Sequence, residues 1–164
     1  MASAVVFTLL LVLSCGLLDE ADAGCSRPGG SPCSCPSGWT RHGKRCFLFM
    51  RHQYDWASSE RTCHRLGGNL ASFHSRSDYD FLRNLAYRAT GYHPRTWVGA
   101  SDAVQEGFWM WSDGSRFDYV SWGRGEPNNA GGRENCMEIN LFGGDYTNDM
   151  SCSMRNNFIC AKAL

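Results

Sequence analysis

Cysteine is the residue type that most constrains how this chain can fold. The sequence has nine cysteines among 164 residues, and eight of them lie beyond residue 24. An even number of cysteines in a small exported domain is typical of a disulfide framework. Eight cysteines form four disulfides, and the spacing alone leaves many pairings open. No Cys-x-x-Cys pair occurs, so the pattern does not indicate a zinc site.

The first 23 residues are predicted to be a secretory signal peptide. The segment 5–18 is mostly apolar, and Ala21-Asp22-Ala23 has the small-x-small pattern of a cleavage site. The apolar stretch is too short to span a bilayer, which takes about 20 residues, and no second long apolar stretch follows. Cleavage would leave a secreted, soluble chain beginning at Gly24, with no transmembrane segment.

Charge and motif content exclude several classes of function. The 16 Lys and Arg residues are balanced by 16 Asp and Glu residues, so we expect no binding to nucleic acid. We also expect no enzymatic activity, because the five histidines are scattered and no His-Glu-x-x-His or Gly-x-Ser-x-Gly motif is present. The composition is 43% hydrophobic and 13% aromatic, which is ample for one packed domain.

The order of predicted elements indicates an α+β domain over residues 35–164, preceded by a Cys-, Gly- and Pro-rich arm at 24–34. Two helices come early, the first capped by Asp55 and ended by Gly67-Gly68, the second capped by Ser75. Short apolar segments predict strands, and they are found at 45–50, 69–73, 96–99, 108–111, 136–140 and 157–160. Residues 112–133 form a long polar loop, and long loops in compact domains are usually functional or disordered.

Oxygen-bearing side chains are concentrated at the end of this loop and in a second short segment. The first group lies between residues 126 and 135, and the second is Asn148-Asp149. Carboxylates together with amide carbonyls are the ligands that calcium prefers. The predicted ligands of a principal calcium ion are Glu126, Asn128, Glu134, Asn148 and Asp149. Pro127 is a candidate for a cis peptide bond.

Several motifs occur together in a fixed order, which is far more specific than any one of them. They are Cys35-Pro-Ser-Gly-Trp39, Trp56 with Cys63, Leu66-Gly-Gly-Asn-Leu-Ala-Ser72, Trp97-Val-Gly99, Trp109-Met-Trp-Ser-Asp-Gly114, Glu126-Pro-Asn128, Glu134-Asn-Cys136 and Asn148-Asp149 before Cys152. In this order they resemble the C-type lectin domain, and the resemblance covers residues 35–164. The short build with a cysteine-bearing arm is similar to the soluble lectins of fish mucus, serum and venom.

The resemblance implies a disulfide pattern and two calcium sites. It implies the disulfides Cys35–Cys46, Cys63–Cys160 and Cys136–Cys152, and it leaves Cys25 and Cys33 to pair with each other or with another chain in an oligomer. It implies that the principal calcium ion and the sugar share the five ligands named above. An auxiliary calcium site would map onto Asp102, Glu106, Asn129 and Glu134, with Asn135 nearby. We expect that site to be weak or empty, because Asn129 and Asn135 are more often acidic in the family.

The resemblance also implies a sugar specificity. In this family Glu-Pro-Asn is associated with mannose, N-acetylglucosamine or fucose, and Gln-Pro-Asp with galactose. We therefore expect calcium-dependent binding of mannose-type glycans on cell surfaces or microbes. Galactose binding is an alternative, since fish lectins of this kind often bind galactose or lactose. A second alternative is ice binding, because type II antifreeze proteins share the fold, although this chain has Ser101 and Asn135 where they place extra cysteines.

One position departs from the family pattern. The family usually has Trp immediately before Asn-Asp, but here that place is taken by Thr147, which follows Tyr146. Loss of the indole ring is expected to loosen the segment that bears Asn148 and Asp149.

Overall fold

The computed structural model describes residues 34–164. The predicted signal peptide at 1–23, most of the arm at 24–34 and the predicted Cys25–Cys33 pair lie outside the described residues. Within 34–164, no helix is long and apolar enough to cross a membrane.

Two helices form where the sequence places their capping residues. Helix α1 spans Trp56–Arg65, and the Asp55 side chain accepts a hydrogen bond from the Ser58 N–H at 2.8 Å. Helix α2 spans Arg76–Thr90, and its Ser75 side chain accepts from the Asp78 N–H at 3.1 Å. Helix α2 ends at Gly91, whose φ of 84° is a left-handed conformation that favours glycine.

Eight strands of the described residues join in one sheet. Their bounds are β1 Thr40–His42, β2 Arg45–Tyr54, β3 Asn69–Leu70, β4 Thr96–Ser101, β5 Met110–Trp111, β6 Cys136–Ile139, β7 Thr147–Met150 and β8 Asn156–Ala163. The main order is β1-β2-β8-β4-β6-β7, while β3 pairs with β8 and β5 pairs with β4. Strands β4 and β8 are parallel, and the other pairs are antiparallel. The α+β prediction is confirmed.

The pairing of β2 with β8 brings the two ends of the domain together. Arg45 lies opposite Ala163 and Met50 opposite Phe158, with an irregularity between Met50 and Tyr54. Strand β8 is buried over most of its length, and its parallel partner β4 carries the fully buried Trp97 and Val98. The indole N–H of Trp97 donates to the Tyr54 carbonyl at 3.0 Å, which satisfies the polar atom of a buried ring.

Three disulfides staple the described residues, in the pattern that the family resemblance implies. Cys35 joins Cys46, Cys63 joins Cys160, and Cys136 joins Cys152. The second connects α1 to β8 across 97 residues, the longest loop of the three and so the one whose closure most restricts the unfolded chain. The third closes the hairpin of β6 and β7, which carries Asn148 and Asp149.

The sequence prediction missed β1 and β7. Strand β1 has only three residues, and β7 has the sequence Thr-Asn-Asp-Met, which lacks the apolar alternation of a strand. Strand β7 forms because all four of its residues pair with β6. Backbone pairing with β6 therefore outweighs the low strand propensity of Asn148 and Asp149, which are two of the predicted calcium ligands.

The close approach of Gly68 to β8 gives a test of the fold. A Cβ on Gly68 would collide with the backbone carbonyl of Ala161, whereas one on Gly67 would meet open space. We expect Gly68→Ala to lower the free energy of unfolding by about 3 kcal/mol or more, because backbone must move. Gly67→Ala is the control, with a cost of about 1–2 kcal/mol for its left-handed φ of 81°. Chemical denaturation that gives equal losses for both variants would contradict this packing.

Candidate functional site

The long polar loop between β5 and β6 is anchored on the carboxylate of Asp149, which lies on β7. Oδ1 of Asp149 accepts a hydrogen bond from the Asn128 N–H at 3.1 Å, and Oδ2 accepts one from the Asn129 N–H at 2.6 Å. Asp149 is almost completely buried on β7. Two successive backbone donors on one carboxylate fix the position of the loop relative to the sheet.

Glu126 lies beside this anchor and has no positive partner. The Glu126–Pro127 peptide bond is cis, as the sequence suggested. The Oε2 atom of Glu126 is buried without a hydrogen-bond partner. Burial raises the pKa of Glu126, and the adjacent Asp149 and Glu134 raise it further. Like charges are thus brought together at a point where a cation would relieve them.

Glu134 and Asn129 stabilise the turn that closes this part of the loop. Oε2 of Glu134 accepts from the Ala130 N–H at 3.0 Å, and the backbone N–H of Glu134 donates to Oδ1 of Asn129 at 3.0 Å. A short 3-10 turn at Ala130–Gly132 connects them. Glu126, Asn128, Glu134 and Asp149 therefore lie near one another, and their role as calcium ligands stays a prediction.

Asn148 is placed differently from its predicted role. In the β6–β7 register Asn148 lies opposite Glu138, while Asp149 lies opposite Met137. The Asn148 NH₂ group donates to Oε1 of Glu138 at 3.1 Å and to the Asp149 carbonyl at 2.6 Å. This NH₂ group is therefore committed to buried acceptors, and only the side-chain carbonyl of Asn148 is left for a ligand.

Glu138 is a buried charge that the sequence prediction missed. Its side chain is fully buried on β6 and receives the Arg95 guanidinium, with Nη2 at 2.7 Å from Oε1 and Nε at 2.9 Å from Oε2. The NH₂ group of Asn156 donates to Oε2 at 2.6 Å. These donors fulfil the requirement that a buried carboxylate be paired. A charge inside the apolar strand Cys-Met-Glu-Ile was the available signal, but Arg95 lies 43 residues away.

The carboxylate and amide oxygens of the predicted ligands are of the kind that calcium binds, but they are not arranged around one point as a complete coordination shell. Among residues 34–164, no group of three or more His, Cys, Asp or Glu side chains is arranged as a metal site. The oxygens of Asp149 and Glu134 accept backbone N–H groups, and a carboxylate has further lone pairs for a cation. The unpartnered Oε2 of Glu126 is the observation that favours a cation at this position.

The predicted auxiliary calcium site is occupied by side-chain amides. Asn135 donates from its NH₂ group to Oδ1 of Asp102 at 3.0 Å, and Asn129 donates to Oε2 of Glu106 at 2.5 Å. Asp102 is buried, and its Oδ2 accepts from the Gly107 N–H at 2.8 Å. We call Asp102, Glu106, Asn129 and Asn135 the amide clasp. Its amide donors hold both carboxylates without a metal, and the expectation that a second calcium ion binds weakly or not at all stays a prediction.

Tyr146 packs where the family usually relies on a Trp one position later. Its ring lies between Gly123 and Gly144, and a Cβ on either glycine would collide with it. Beside the ring, the Thr147 N–H donates to the Ser121 carbonyl at 2.7 Å, and the Gly123 N–H donates to the Thr147 carbonyl at 3.0 Å. The segment before Asn148 is thus bridged to the long loop rather than loosened.

The comparisons with known proteins agree on one family. The family model described as Lectin C-type domain matches residues 52–162. The chain is 46% identical to "Galactose-specific lectin nattectin" of Thalassophryne nattereri over 164 residues, covering 100% of both chains. It is 48% identical to "Ladderlectin" of Oncorhynchus mykiss over 118 residues, covering 72% of this chain and 62% of the relative.

A solved structure has the same fold. The chain superposes on the structure of herring type II antifreeze protein with a TM-score of 0.74 and 33% sequence identity. The match covers 79% of this chain and 99% of that chain.

The packing of Tyr146 predicts how the ligand segment responds to its loss. We expect Tyr146→Ala to weaken calcium binding by about tenfold, since groups that position metal ligands typically contribute this much. The Thr147 and Gly123 amides should also exchange with solvent faster. Tyr146→Phe keeps the ring and is the matched control. Calorimetry and hydrogen exchange that show Tyr146→Ala unchanged would refute the role of the ring.

The amide clasp predicts a charge-dependent change in stability. In EDTA, Asn135→Asp should lower the free energy of unfolding by about 1–3 kcal/mol, because it removes a donor to the buried Asp102 and adds a like charge. Calcium should recover part of this loss. Asn84→Asp adds the same charge at an exposed position of α2 and should change little. The clasp would be excluded if Asn135→Asp unfolded in EDTA at the same denaturant concentration as the wild type.

Proposed function

The chain belongs to the C-type lectin domain family and has its carbohydrate-binding function, and we propose that it is a secreted lectin that binds mannose-type sugars through calcium. The relevant sugars are mannose, N-acetylglucosamine and fucose. The proposed ligands of calcium are Glu126, Asn128, Glu134, Asn148 and Asp149. The family function is carbohydrate binding rather than catalysis.

The single observation that carries the calcium proposal is the state of Glu126. Its Oε2 atom is buried without a partner, and its pKa is raised by burial and by the carboxylates of Asp149 and Glu134. Three carboxylates with no cationic partner at their centre supply the hard oxygen ligands that calcium takes in preference to magnesium.

The residues of the chain supply complementary donors and acceptors for a sugar. When bound, calcium would coordinate one oxygen from each of two adjacent sugar hydroxyls. Glu126 and Glu134 would accept the two hydroxyl protons, and the Asn128 NH₂ group would donate to a hydroxyl oxygen. The NH₂ group of Asn148 is held by Glu138, so Asn148 would offer only its carbonyl oxygen. Arg95 and Glu138 would then act as positioning residues for Asn148.

Mannose-type specificity is supported by the Glu126-Pro-Asn128 motif and by the residues that follow it. Galactose binders of the family tend to place an aromatic ring shortly after the motif, whereas this chain has Asn129 and Ala130. The Asn129 side chain is held by Glu106, so it is not free to replace such a ring. The printed name of nattectin favours galactose instead, and galactose binding is the alternative specificity.

Ice binding is a second candidate because the fold superposes on herring type II antifreeze protein. Those proteins place extra cysteines at the positions of Ser101 and Asn135, which in this chain are joined by a hydrogen bond from the Ser101 hydroxyl to the Asn135 carbonyl at 2.7 Å. The absence of those cysteines and the presence of the Glu-Pro-Asn motif favour a sugar ligand over ice.

The proposed partners are glycans on cell surfaces or microbes, as expected for a defence, mucus or venom lectin. Charge-assisted hydrogen bonds contribute about 1.5–3 kcal/mol each, and water competes for the same groups. A single shallow site therefore binds weakly. Avidity from a homo-oligomer would strengthen binding to a surface, and the N-terminal cysteines are the proposed means of linking chains if they do not pair internally.

Retention on sugar resins tests the proposal. We expect the mature protein to bind mannose-agarose in calcium, to pass through galactose-agarose, and to elute from mannose with EDTA. Glu126→Gln should abolish retention, because the amide cannot accept a hydroxyl proton as a carboxylate does and removes one charge from the calcium ligands. Asp80→Asn is the matched control on α2, and it should be retained like the wild type.

Each other outcome identifies which part of the proposal fails. Retention on galactose would overturn the mannose assignment and keep the calcium site. Retention in EDTA would overturn the calcium mechanism. Absence of retention on both resins would favour ice binding or protein binding.

A further inference from the structure

A basic groove lies between strand β2 and helix α1, on elements that carry none of the proposed calcium ligands. Alternate residues of β2 form one wall, and residues of α1 with helical spacing form the other. The groove has a volume of about 470 Å³ and is lined by Met50, His52, Tyr54, Ser58, Arg61, Thr62 and Arg65. Side chains from one face of β2 and one face of α1 therefore line the same groove.

The arginines of this groove are not neutralised by ion pairs. Arg61 donates to the Ser58 hydroxyl at 2.9 Å, and neither Arg61 nor Arg65 forms a salt bridge with a residue of the described chain. Both side chains are exposed. They are separated by four residues on one helix, which places their Cβ atoms about 6 Å apart.

Nearby acidic residues are hydrogen-bonded within the fold. The hydrogen bond from the Ser58 N–H lowers the pKa of Asp55, and the nearby charge of Arg61 lowers it further, so Asp55 partly offsets that arginine. Asp55 caps α1, accepting from the N–H and the hydroxyl of Ser58 at 2.8 Å each. Glu60 is buried and accepts from the Leu70 N–H at 2.6 Å and from the Asn69 NH₂ group at 2.7 Å. The surface is therefore positively charged in a domain of modest overall charge.

Two aromatic rings line the groove on the side of β2. The rings of His52 and Tyr54 are stacked with centroids 5.9 Å apart, and Tyr54 stacks on buried Phe158 at 6.0 Å. Such rings accommodate the C–H faces of sugar rings, while the guanidinium groups bind planar arrays of anionic oxygens. The groove therefore combines the two chemistries that a sulfated sugar presents.

We propose that this groove binds sulfated polysaccharide in a calcium-independent manner. The charges require an anionic occupant, and the arm at 24–34 contains no Asp or Glu, so it does not complement the groove. The aromatic rings and the repeated guanidinium groups favour a linear sulfated glycan over a free anion. The sulfated glycan would bind at a site separate from the neutral sugar, and the two would bind independently.

Binding to dextran sulfate in EDTA tests the proposal, with unsulfated dextran as the matched probe. We expect the mature protein to bind dextran sulfate only, and more weakly as salt is added, because exposed charges are screened. Arg61→Gln combined with Arg65→Gln should weaken binding by about tenfold, from the loss of two exposed charge pairs. The same variant should keep calcium-dependent retention on the neutral sugar resin.

Arg88→Gln combined with Arg116→Gln removes the same charge from exposed positions outside the groove and should bind like the wild type. Equal weakening by this control would overturn the proposal, because it would indicate a general charge effect. Unchanged binding by the groove variant would also overturn it. So would binding to phosphatidylserine vesicles or to single-stranded DNA in preference to dextran sulfate. Loss of neutral-sugar retention alone would count against the proposed lectin site and not against the groove.

Discussion

The geometry of the long polar loop depends on the hydrogen bonds that the carboxylate of Asp149 accepts. It is buried on an edge strand of the sheet, and it accepts successive N–H groups from Asn128 and Asn129. These bonds bring the Glu-Pro-Asn segment against β7, although the two segments are about 20 residues apart in sequence. The Cys136–Cys152 disulfide and the pairing of β6 with β7 keep that strand in place. The site therefore consists of the edge of the sheet and the long loop, and the buried carboxylate of Asp149 connects the two.

The surrounding carboxylates are satisfied in different ways, and this difference separates two potential cation positions. In the amide clasp, Asn129 and Asn135 donate to Glu106 and Asp102, so the loop closes without a metal. At Glu126 no protein donor reaches the buried Oε2 atom. An unsatisfied buried anion is costly, and a bound cation would remove that cost. We therefore propose one cation position at Glu126 and none at the amide clasp.

The sequence predicts the fold well, because caps, cysteines and ordered motifs are local signals. Asp55 and Ser75 cap the helices as expected. Strand β7 could not be predicted from local signals, because the sequence Thr-Asn-Asp-Met has no apolar alternation and forms a strand only by hydrogen bonding to β6. The buried pair of Glu138 and Arg95 depends on residues that meet only in the folded sheet. The hydrogen bond from the Asn148 NH₂ group to Glu138 likewise depends on the register of β6 and β7 and has no local sequence signal.

The stoichiometry of calcium binding to the wild-type protein tests this account most directly. On this account Asp102 and Glu106 are held by amide donors and bind no ion, while Glu126, Glu134 and Asp149 are proposed to bind one. Isothermal titration of the calcium-free protein should therefore show one calcium ion per chain, with mannose binding only after that ion is present. Two ions per chain would contradict the clasp, and no calcium binding would contradict the principal site.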